Sequence, residues 1–250
     1  MKAVFFSDAH LADNEAGRVS AISRVILDIT KDADAVFILG DLFEFYHGYE
    51  GYVYPFYKES VDLLAKLARE RPVYFIEGNH EFGLGRHFES YTGVRCVESL
   101  TINMDDRKVF LAHGHDLGRS FLRRALKSRF VYAIMDRLGP SLTWKVAMMS
   151  RPLLSKSHKP YDGRILNRFR RYGRRKLQEG YDAVILGHSH MADIEEYEWN
   201  GRKKTYMNTG DLITSFSYGV YVTGKGFAIG RYEGQDGPRL GQTGGKESLG

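Results

Sequence analysis

Residues 35–41 read Ala-Val-Phe-Ile-Leu-Gly-Asp, a short apolar run that stops at a glycine and a carboxylate. An apolar run of this length bounded by glycine is typical of a buried strand. Four further runs have the same form, and each of them also ends in Asp, Asn or His. They are residues 3–6 before Asp8 and His10, residues 73–76 before Asn79 and His80, residues 109–112 before His113, and residues 183–186 before His188 and His190. The sequence therefore predicts five buried strands, each with a polar cluster at its end.

Helical patterns separate the first three of these strands. Residues 20–29 and residues 60–69 carry apolar side chains at helical spacing, namely Ile22, Val25, Ile26 and Ile29 in the first and Val61, Leu64, Ala65 and Ala68 in the second. Alternation of strand and helix predicts βαβ units around a buried sheet. Because ligands of such sheets bind beyond the carboxyl ends of the strands, we expect the polar clusters to converge on one site.

The later part of the chain shows hairpin patterns instead. Residues 195–199 and 202–207 flank Asn200-Gly201, which is a strong signal for a two-residue turn between antiparallel strands. A second hairpin is expected from residues 219–223 and 227–232. Together with the βαβ units, these hairpins predict a mixed α/β structure of stacked layers with two sheets.

Composition excludes several classes of protein. The chain has 250 residues, of which 43% are hydrophobic and 27% are charged, and this balance excludes a disordered or fibrous protein. Cys96 is the only cysteine, so neither a disulfide within the chain nor a thiolate metal cage can form. No apolar run is long enough for a signal-peptide core or a membrane span, and we therefore expect a cytoplasmic protein. Residues 233–250 are rich in Gly and are expected to form a disordered tail.

Charge is distributed unevenly along the chain. The formal net charge is +5, but the segment from Arg119 to Lys176 contains 17 Lys and Arg residues and only two acids, which gives it a charge of +15. The rest of the chain, with 19 basic and 29 acidic residues, carries −10. A basic segment of this length indicates an anionic partner: nucleic acid, phospholipid headgroups or a phosphorylated substrate. A solvated surface is the alternative interpretation, which is more usual for short runs of charge.

The side chains at the strand ends form a set of candidate metal ligands. They supply oxygen and imidazole nitrogen atoms, a mixture that suits Mn, Fe, Zn or Co: Asp8, His10, Asp41, Asn79, His113, His188 and His190. Seven ligands are too many for one tetrahedral ion, and they fit two ions about 3.5–4 Å apart that share a carboxylate. Such a pair activates water for in-line displacement at phosphorus. On extended backbone, alternate residues such as Asp8 and His10 point the same way, so each pair would hold one site from a single strand end.

The motifs built from these residues resemble those of the calcineurin-like metallophosphoesterase superfamily. The motifs are Asp8-Ala9-His10, Gly40-Asp41, Gly78-Asn79-His80, His113 and Gly187-His188-Ser189-His190. The resemblance covers residues 1–232 and implies a four-layer αββα double β-sandwich that binds two divalent ions, with Mn²⁺ favoured. It implies that one ion is held by Asp8, His10, Asp41 and His190, and the other by Asp41, Asn79, His113 and His188. His80 would then lie beside the scissile phosphate, where it stabilises charge or protonates the leaving oxygen.

Within the superfamily, the chain is most similar to UDP-2,3-diacylglucosamine hydrolases of the lipid A pathway. Residues 40–44, Gly-Asp-Leu-Phe-Glu, match the second motif of that family, and residues 208–211, Asn-Thr-Gly-Asp, also resemble it. The basic segment, at about residues 119–177, lies where those enzymes have a helical lid over the acyl chains. The chain differs from the pattern of that family at His80, where the best-known branch has Arg, and at Glu81 and His115, where Asp is usual.

The basic segment has an amphipathic pattern. Apolar side chains recur at helical spacing along it: Leu122, Leu126, Phe130, Ile134 and Leu138 before Gly139-Pro140, then Leu142, Val146 and Met149, and finally Ile165, Phe169, Tyr172 and Leu177. Basic amphipathic helices are typical of membrane surfaces, and they would also suit an acylated nucleotide with Arg on its phosphates. Alternatively, the apolar stripes only pack onto the body of the domain. Arg124 and Lys159 are candidates for contacts to substrate phosphates.

Three classes of function are compatible with these patterns. The first is a dinuclear-metal pyrophosphatase that hydrolyses UDP-2,3-diacylglucosamine to UMP and 2,3-diacylglucosamine 1-phosphate in lipid A biosynthesis. It would act as a peripheral protein at the inner face of the inner membrane, without nucleic acid or an obligate protein partner. The second is another metallophosphodiesterase, acting on nucleic acid or a nucleotide diester, although the apolar stripes among the basic residues argue against it. The third is a non-catalytic scaffold, which typically loses ligands, whereas all seven are present here.

Overall fold

The computed structural model describes residues 1–12, 16–117, 127–154, 163–199 and 201–234, which form two stacked β-sheets with helices on both sides and one small two-stranded sheet. In chain order the strands are β1 (Lys2–Phe6), β2 (Ala35–Ile38), β3 (Tyr46–His47), β4 (Val73–Ile76), β5 (Glu81–Phe82), β6 (Arg95–Val97), β7 (Ser99–Met104), β8 (Arg107–Ala112), β9 (Ala183–Leu186), β10 (Ala192–Trp199), β11 (Arg202–Thr209), β12 (Ser217–Val222) and β13 (Gly226–Arg231). The helices are α1 (Ala16–Thr30), α2 (Lys58–Glu70), α3 (Gly85–Thr92), α4 (Arg129–Leu154) and α5 (Gly163–Gln178), and two short 3₁₀ helices span Pro55–Tyr57 and His115–Leu117.

Each sheet has a parallel centre with antiparallel strands beside it. The first sheet has the order β13-β12-β1-β2-β4-β6, in which β1, β2, β4 and β6 are parallel. The second has the order β10-β11-β9-β8-β7, in which β8, β9 and β11 are parallel. The five predicted strands are confirmed as β1, β2, β4, β8 and β9, and the predicted hairpins as β10–β11 and β12–β13. The turn residue Asn200 lies outside the described residues.

Alternate side chains of the central strands enter different apolar layers. Phe6 of β1 packs with residues of α1 and α2, whereas its neighbour Phe5 lies between the sheets. Leu186 of β9 packs with Phe169 of α5, whereas its neighbour Ile185 lies between the sheets. Because both faces of these strands are buried, their sequences are continuously apolar instead of alternating. The layers are helix, sheet, sheet and helix, which confirms the predicted four-layer αββα fold.

Helix α4 is broken at Gly139, whose φ of 74° and ψ of 169° lie outside the helical region. The helix end that the sequence predicts at Gly139-Pro140 is therefore present as a kink. The hydroxyl of Tyr49 lies 2.9 Å from the carbonyl oxygen of Met135 and 2.7 Å from Oγ1 of Thr143, one partner on each side of the break. These contacts attach the inner face of the kinked helix to the loop after β3.

The predicted insertion and tail lie partly outside the described residues. Arg124 belongs to residues 118–126 and Lys159 to residues 155–162, and the chain from residue 235 onward is outside as well. The boundaries 119–177 and 233–250 therefore stay predictions. Across the ranges that the structure describes, no helix has both the length and the hydropathy needed to cross a membrane.

Phe37 of β2 tests the apolar layer between the sheets. Its ring is 1% exposed and stacks on Phe5 and Tyr74, with ring centroids 5.0 and 5.1 Å away. Phe37→Ala should lower the free energy of unfolding by about 3–5 kcal/mol, because it removes buried contacts and leaves a cavity. Urea unfolding followed by circular dichroism measures this change. Phe130→Ala is the control, since that residue is 74% exposed, and it should change the value by less than about 0.5 kcal/mol. An equal loss in both variants would contradict this assignment of the layer.

Candidate metal centre

The predicted ligands lie in the loops that follow β1, β2, β4, β8 and β9, where the carboxyl ends of the two sheets meet. Three groups of side chains have ligand atoms within 4.8 Å of one another: Asp8, Asp41, His113 and His188; Asp8, His10 and His190; and His10, Asp41 and His80. The structure thus brings six of the seven predicted ligands together with the predicted catalytic residue. The convergence expected from the strand-end pattern is present.

Asp41 is common to two of these groups. Its Oδ2 atom lies 3.1 Å from Nε2 of His113, 3.8 Å from Nε2 of His10 and 3.9 Å from Nδ1 of His188. Its Oδ1 atom accepts a hydrogen bond from the backbone N–H of His80 at 3.0 Å. A single carboxylate therefore contacts groups from the strand ends of both sheets.

Several buried atoms of the predicted ligands have no hydrogen-bond partner. They are Oδ1 of Asp8, Nε2 of His10 and Oδ1 of Asn79, which is the seventh predicted ligand. Buried polar atoms in proteins nearly always have a partner, so a cluster of such atoms fits a bound cation. Oxygen and imidazole donors are the ligands that divalent first-row metals such as Mn, Fe and Zn accept. The residues present therefore fit a divalent metal centre.

The backbone is strained at the predicted ligands. Of the seven non-glycine residues with positive φ in the described ranges, five belong to the set: Asp8, His10, Asp41, His188 and His190. A left-handed conformation costs an L-residue about 1–2 kcal/mol, and such strain concentrates at functional sites. The expectation that extended backbone aligns Asp8 with His10 is wrong, because φ is 55° at Asp8 and 44° at His10. The side chains converge because the chain turns sharply after each strand.

Glycines let the ligand loops approach one another. A Cβ atom added to Gly78 would lie 2.1 Å from Oδ1 of Asp41 and 2.5 Å from its backbone nitrogen. A Cβ atom added to Gly40, where φ is 86°, would lie 2.6 Å from Cα of Gly78 and 2.7 Å from Nδ1 of His113. No side chain fits into these gaps, so the positions of the ligands depend on both glycines.

Opposite charges are paired within the centre. Burial raises the pKa of Asp41, but the charges of His113 and His80 and the contacts with His113 and His188 together outweigh burial, and the pKa lies well below its ordinary value. Burial lowers the pKa of His113, yet Asp41 raises it to about 9. At His10, carboxylate neighbours likewise overcome burial and raise the pKa to about 10. His188 differs, because burial dominates there and lowers its pKa to about 4. Protonated imidazoles therefore balance the buried carboxylates.

Glu81 is a buried carboxylate to which the sequence analysis assigned no role. It is fully buried and accepts hydrogen bonds from the backbone N–H groups of Asp41 at 2.9 Å, Gly78 at 2.8 Å and Phe43 at 3.3 Å. It thereby joins the loop after β2 to the loop after β4, which contains Asn79. Its position directly after the Gly-Asn-His motif is the one signal in the sequence, and that signal does not show which N–H groups it binds.

His80 lies at the rim of the centre. Its Nδ1 donates a hydrogen bond to the carbonyl oxygen of Glu44 at 2.6 Å, so Nε2 is turned inward and lies 4.0 Å from Oδ2 of Asp41. The side chain is 27% exposed, whereas that of Asp41 is 2% exposed. A molecule that approaches from solvent can therefore contact His80 beside the predicted ligands.

One basic side chain that the sequence analysis did not single out reaches the centre. Lys127 donates a hydrogen bond to the carbonyl oxygen of Gly78 at 2.6 Å, and its Nζ lies 3.7 Å from Glu77. It belongs to the basic segment, as do the predicted phosphate contacts Arg124 and Lys159, which lie outside the described residues. Through Lys127, the described part of the basic segment therefore contacts the loop after β4.

A family model described as calcineurin-like phosphoesterase matches residues 1–192. The match spans every motif of the centre, from the loop after β1 to the loop after β9. Fold and centre together define a metal-dependent phosphoester hydrolase. The chain belongs to the calcineurin-like phosphoesterase family, which confirms the resemblance seen in its sequence.

Relatives with an assigned activity cover most of the chain. The UDP-2,3-diacylglucosamine hydrolase of Coxiella burnetii is 29% identical over 205 residues, which are 79% of this chain and 84% of the relative. The protein of the same name from Aeromonas salmonicida is 29% identical over 234 residues, which are 90% of this chain and 91% of the relative. Among solved structures, an archaeal phosphodiesterase aligns with a TM-score of 0.46 at 18% identity, covering 92% of this chain and 98% of that one.

Gly78→Ala tests the close approach of the two loops. The added Cβ would lie against Asp41, so the loops must separate and the ligand atoms must move. We expect hydrolysis of bis(p-nitrophenyl) phosphate to fall about 10–100-fold, the usual effect of disturbing the support of metal ligands, while the circular dichroism spectrum is retained. Gly17→Ala is the matched control, because nothing lies within 4 Å of its added Cβ. Equal activity of both variants would show that the close approach is not needed.

Proposed function

We propose that the chain hydrolyses the pyrophosphate bond of UDP-2,3-diacylglucosamine and releases UMP and 2,3-diacylglucosamine 1-phosphate, a step of lipid A biosynthesis. One observation carries the proposal. All residues of the predicted ligand set are present in a calcineurin-like phosphoesterase, and relatives named UDP-2,3-diacylglucosamine hydrolase match 79–90% of the chain. The chemistry of this bond fits the centre, because a pyrophosphate is cleaved by in-line displacement at phosphorus.

Two divalent ions, which the family resemblance suggests are Mn²⁺, would be held by two overlapping sets of side chains. The first set is Asp8, His10, Asp41 and His190, and the second is Asp41, Asn79, His113 and His188. The shared position of Asp41 supports this division, since its Oδ2 lies within 4 Å of imidazole nitrogens from both sets. When bound, such a pair of ions supplies activated water and neutralises charge on phosphate oxygens.

His80 is the proposed catalytic residue. Because Nδ1 donates to the carbonyl oxygen of Glu44, the Nε2 edge is presented to the centre. A protonated Nε2 there can stabilise charge on the scissile phosphate or donate a proton to the leaving oxygen. The partial exposure of the ring supports this role, since the reacting phosphate must reach it from solvent.

The outer face of α4 favours the proposal that the substrate is acylated and that the protein contacts a membrane surface. Six apolar side chains spaced three or four residues apart are 42–78% exposed: Phe130, Ile134, Leu138, Leu142, Val146 and Met149. Within each half of the kinked helix, this spacing places them on one side. An exposed apolar stripe in a segment of charge +15 fits acyl chains and anionic headgroups, so we place the protein at the inner face of the inner membrane.

Helix α5 fits the alternative interpretation, in which the apolar stripe only packs onto the body of the domain. Phe169 and Leu177 are buried against the second sheet, where they contact the cluster that contains Tyr206. Arg170 of the same helix forms two hydrogen bonds with Asp193, at 2.7 and 2.8 Å. This part of the basic segment is fixed to the body of the domain, so the proposed contact with acyl chains is assigned to α4.

Product analysis tests the proposed substrate. Incubation with Mn²⁺ and UDP-2,3-diacylglucosamine should yield UMP and the lipid monophosphate, detected by mass spectrometry, and Asp41→Asn should abolish both products. Parallel reactions contain bis(p-nitrophenyl) phosphate and a short oligonucleotide. Cleavage of bis(p-nitrophenyl) phosphate without UMP release would refute the substrate assignment, and cleavage of the oligonucleotide would favour the nucleic-acid alternative.

Metal loading should release protons. Before an ion binds, the pKa values of about 10 for His10 and about 9 for His113 keep both imidazoles protonated at neutral pH, and each must lose a proton to become a ligand. Asp8 also raises the pKa of the third imidazole ligand, His190, against the effect of burial. The apparent affinity for Mn²⁺ should therefore rise between about pH 6 and pH 8, with up to about three protons released in calorimetry. His188, with a pKa of about 4, is already neutral and releases none. An affinity that does not change over this range would contradict the assignment of these ligands.

A further inference from the structure

His10 and His190, both in the first proposed ligand set, each have a second carboxylate next to the ring nitrogen that faces away from the centre. Nδ1 of His10 lies 3.3 Å from Oε2 of Glu44, and Nδ1 of His190 lies 3.6 Å from Oδ2 of Asp211. The opposite ring nitrogens face the centre, where Nε2 of His10 lies 3.8 Å and Nε2 of His190 lies 3.5 Å from Oδ1 of Asp8. Each ring is thus held between two carboxylates.

The loop after β11 holds the Asp211 carboxylate in one orientation. Its Oδ1 atom accepts hydrogen bonds from the backbone N–H groups of Thr214 at 2.8 Å, Ser215 at 2.9 Å and Ile213 at 3.2 Å. Asp211 is 3% exposed and Glu44 is 6% exposed. Both carboxylates are buried, and that of Asp211 is also held by three backbone N–H groups, so they can fix the orientation of the rings that they contact.

The other metal position is supported differently. Nδ1 of His113 donates a hydrogen bond to the backbone carbonyl oxygen of Leu39 at 2.5 Å, so the acceptor behind this ring is neutral. A carboxylate on the second nitrogen of a ligating imidazole fixes its tautomer and makes the ligating nitrogen more basic. The outer nitrogens of His10 and His190 thus face carboxylates, whereas that of His113 faces a neutral carbonyl oxygen, although the ligand types of the two positions are similar.

We infer that Glu44 and Asp211 are positioning residues for His10 and His190, and that they cause this position to bind a divalent ion before the other. The inference rests on the proposed dinuclear centre. The first position is surrounded by the buried carboxylates of Asp8, Asp41, Glu44 and Asp211, which attract a divalent cation strongly in a buried site. The inference also gives a role to Glu44 and Asp211, which end the stretches Gly-Asp-Leu-Phe-Glu and Asn-Thr-Gly-Asp and belong to neither proposed ligand set.

Calorimetric titration with Mn²⁺ separates the two binding steps. The wild type should bind two ions with unequal affinity. Glu44→Gln and Asp211→Asn each keep a side-chain oxygen but remove the charge, and each should weaken the tighter step about 10–100-fold with little change in the weaker one. Asp105→Asn is the matched control. Asp105 lies in the turn before β8, at the opposite end of that strand from His113, and its carboxylate accepts hydrogen bonds from Tyr221 and Thr223. It should leave both steps unchanged.

The possible outcomes separate this inference from the proposed function. If the wild type binds two ions and releases UMP while both variants keep an unchanged tight step, the positioning roles are refuted and the proposed function stands. If the wild type binds no divalent ion, the dinuclear centre itself is refuted. Thermal unfolding of each variant without metal checks the fold, and Glu44→Gln remains informative if Asp211→Asn disturbs the loop of residues 211–215. Weakening of only the looser step would also overturn the inference.

Discussion

The buried carboxylate of Asp41 is the group on which the rest of the centre depends. A carboxylate whose side chain is 2% exposed loses its hydration, and without partners this costs several kcal/mol. Its partners are the backbone N–H of His80 and the imidazoles of His10 and His113. These groups follow β4, β1 and β8, so the charge of one residue is compensated only when both sheets are stacked with their carboxyl ends together.

The same arrangement concentrates conformational strain at one end of the molecule. Left-handed backbone at Asp8, His10 and Asp41 is unfavourable, and it persists because continuously buried strands hold the chain on either side. Aromatic stacking between Phe5 and Phe37 is one part of that support. The apolar layers thus supply the stability that allows a strained, charged and closely packed centre to form at their edge.

The basic segment has two structural roles that its net charge does not distinguish. Lys127 and Arg170 both bind groups of the body, the first at the loop after β4 and the second at β10. The apolar face of α4, in contrast, points away from the core, with Phe130 74% and Met149 78% exposed. The basic segment, with its charge of +15, therefore combines contacts that anchor it to the body with an exposed apolar face.

The sequence by itself determined the buried strands, their helical connections and the set of candidate ligands. These features are local, since an apolar run that ends in a polar cluster is visible without knowledge of any partner. The roles of Glu44, Glu81 and Asp211 were decided only by the tertiary structure, as were the left-handed ligand residues and the difference between α4 and α5. The physical reason is that each depends on contacts between segments far apart in the chain, such as Glu81 with Asp41 or Tyr49 with Thr143, and periodicity carries no information about such partners.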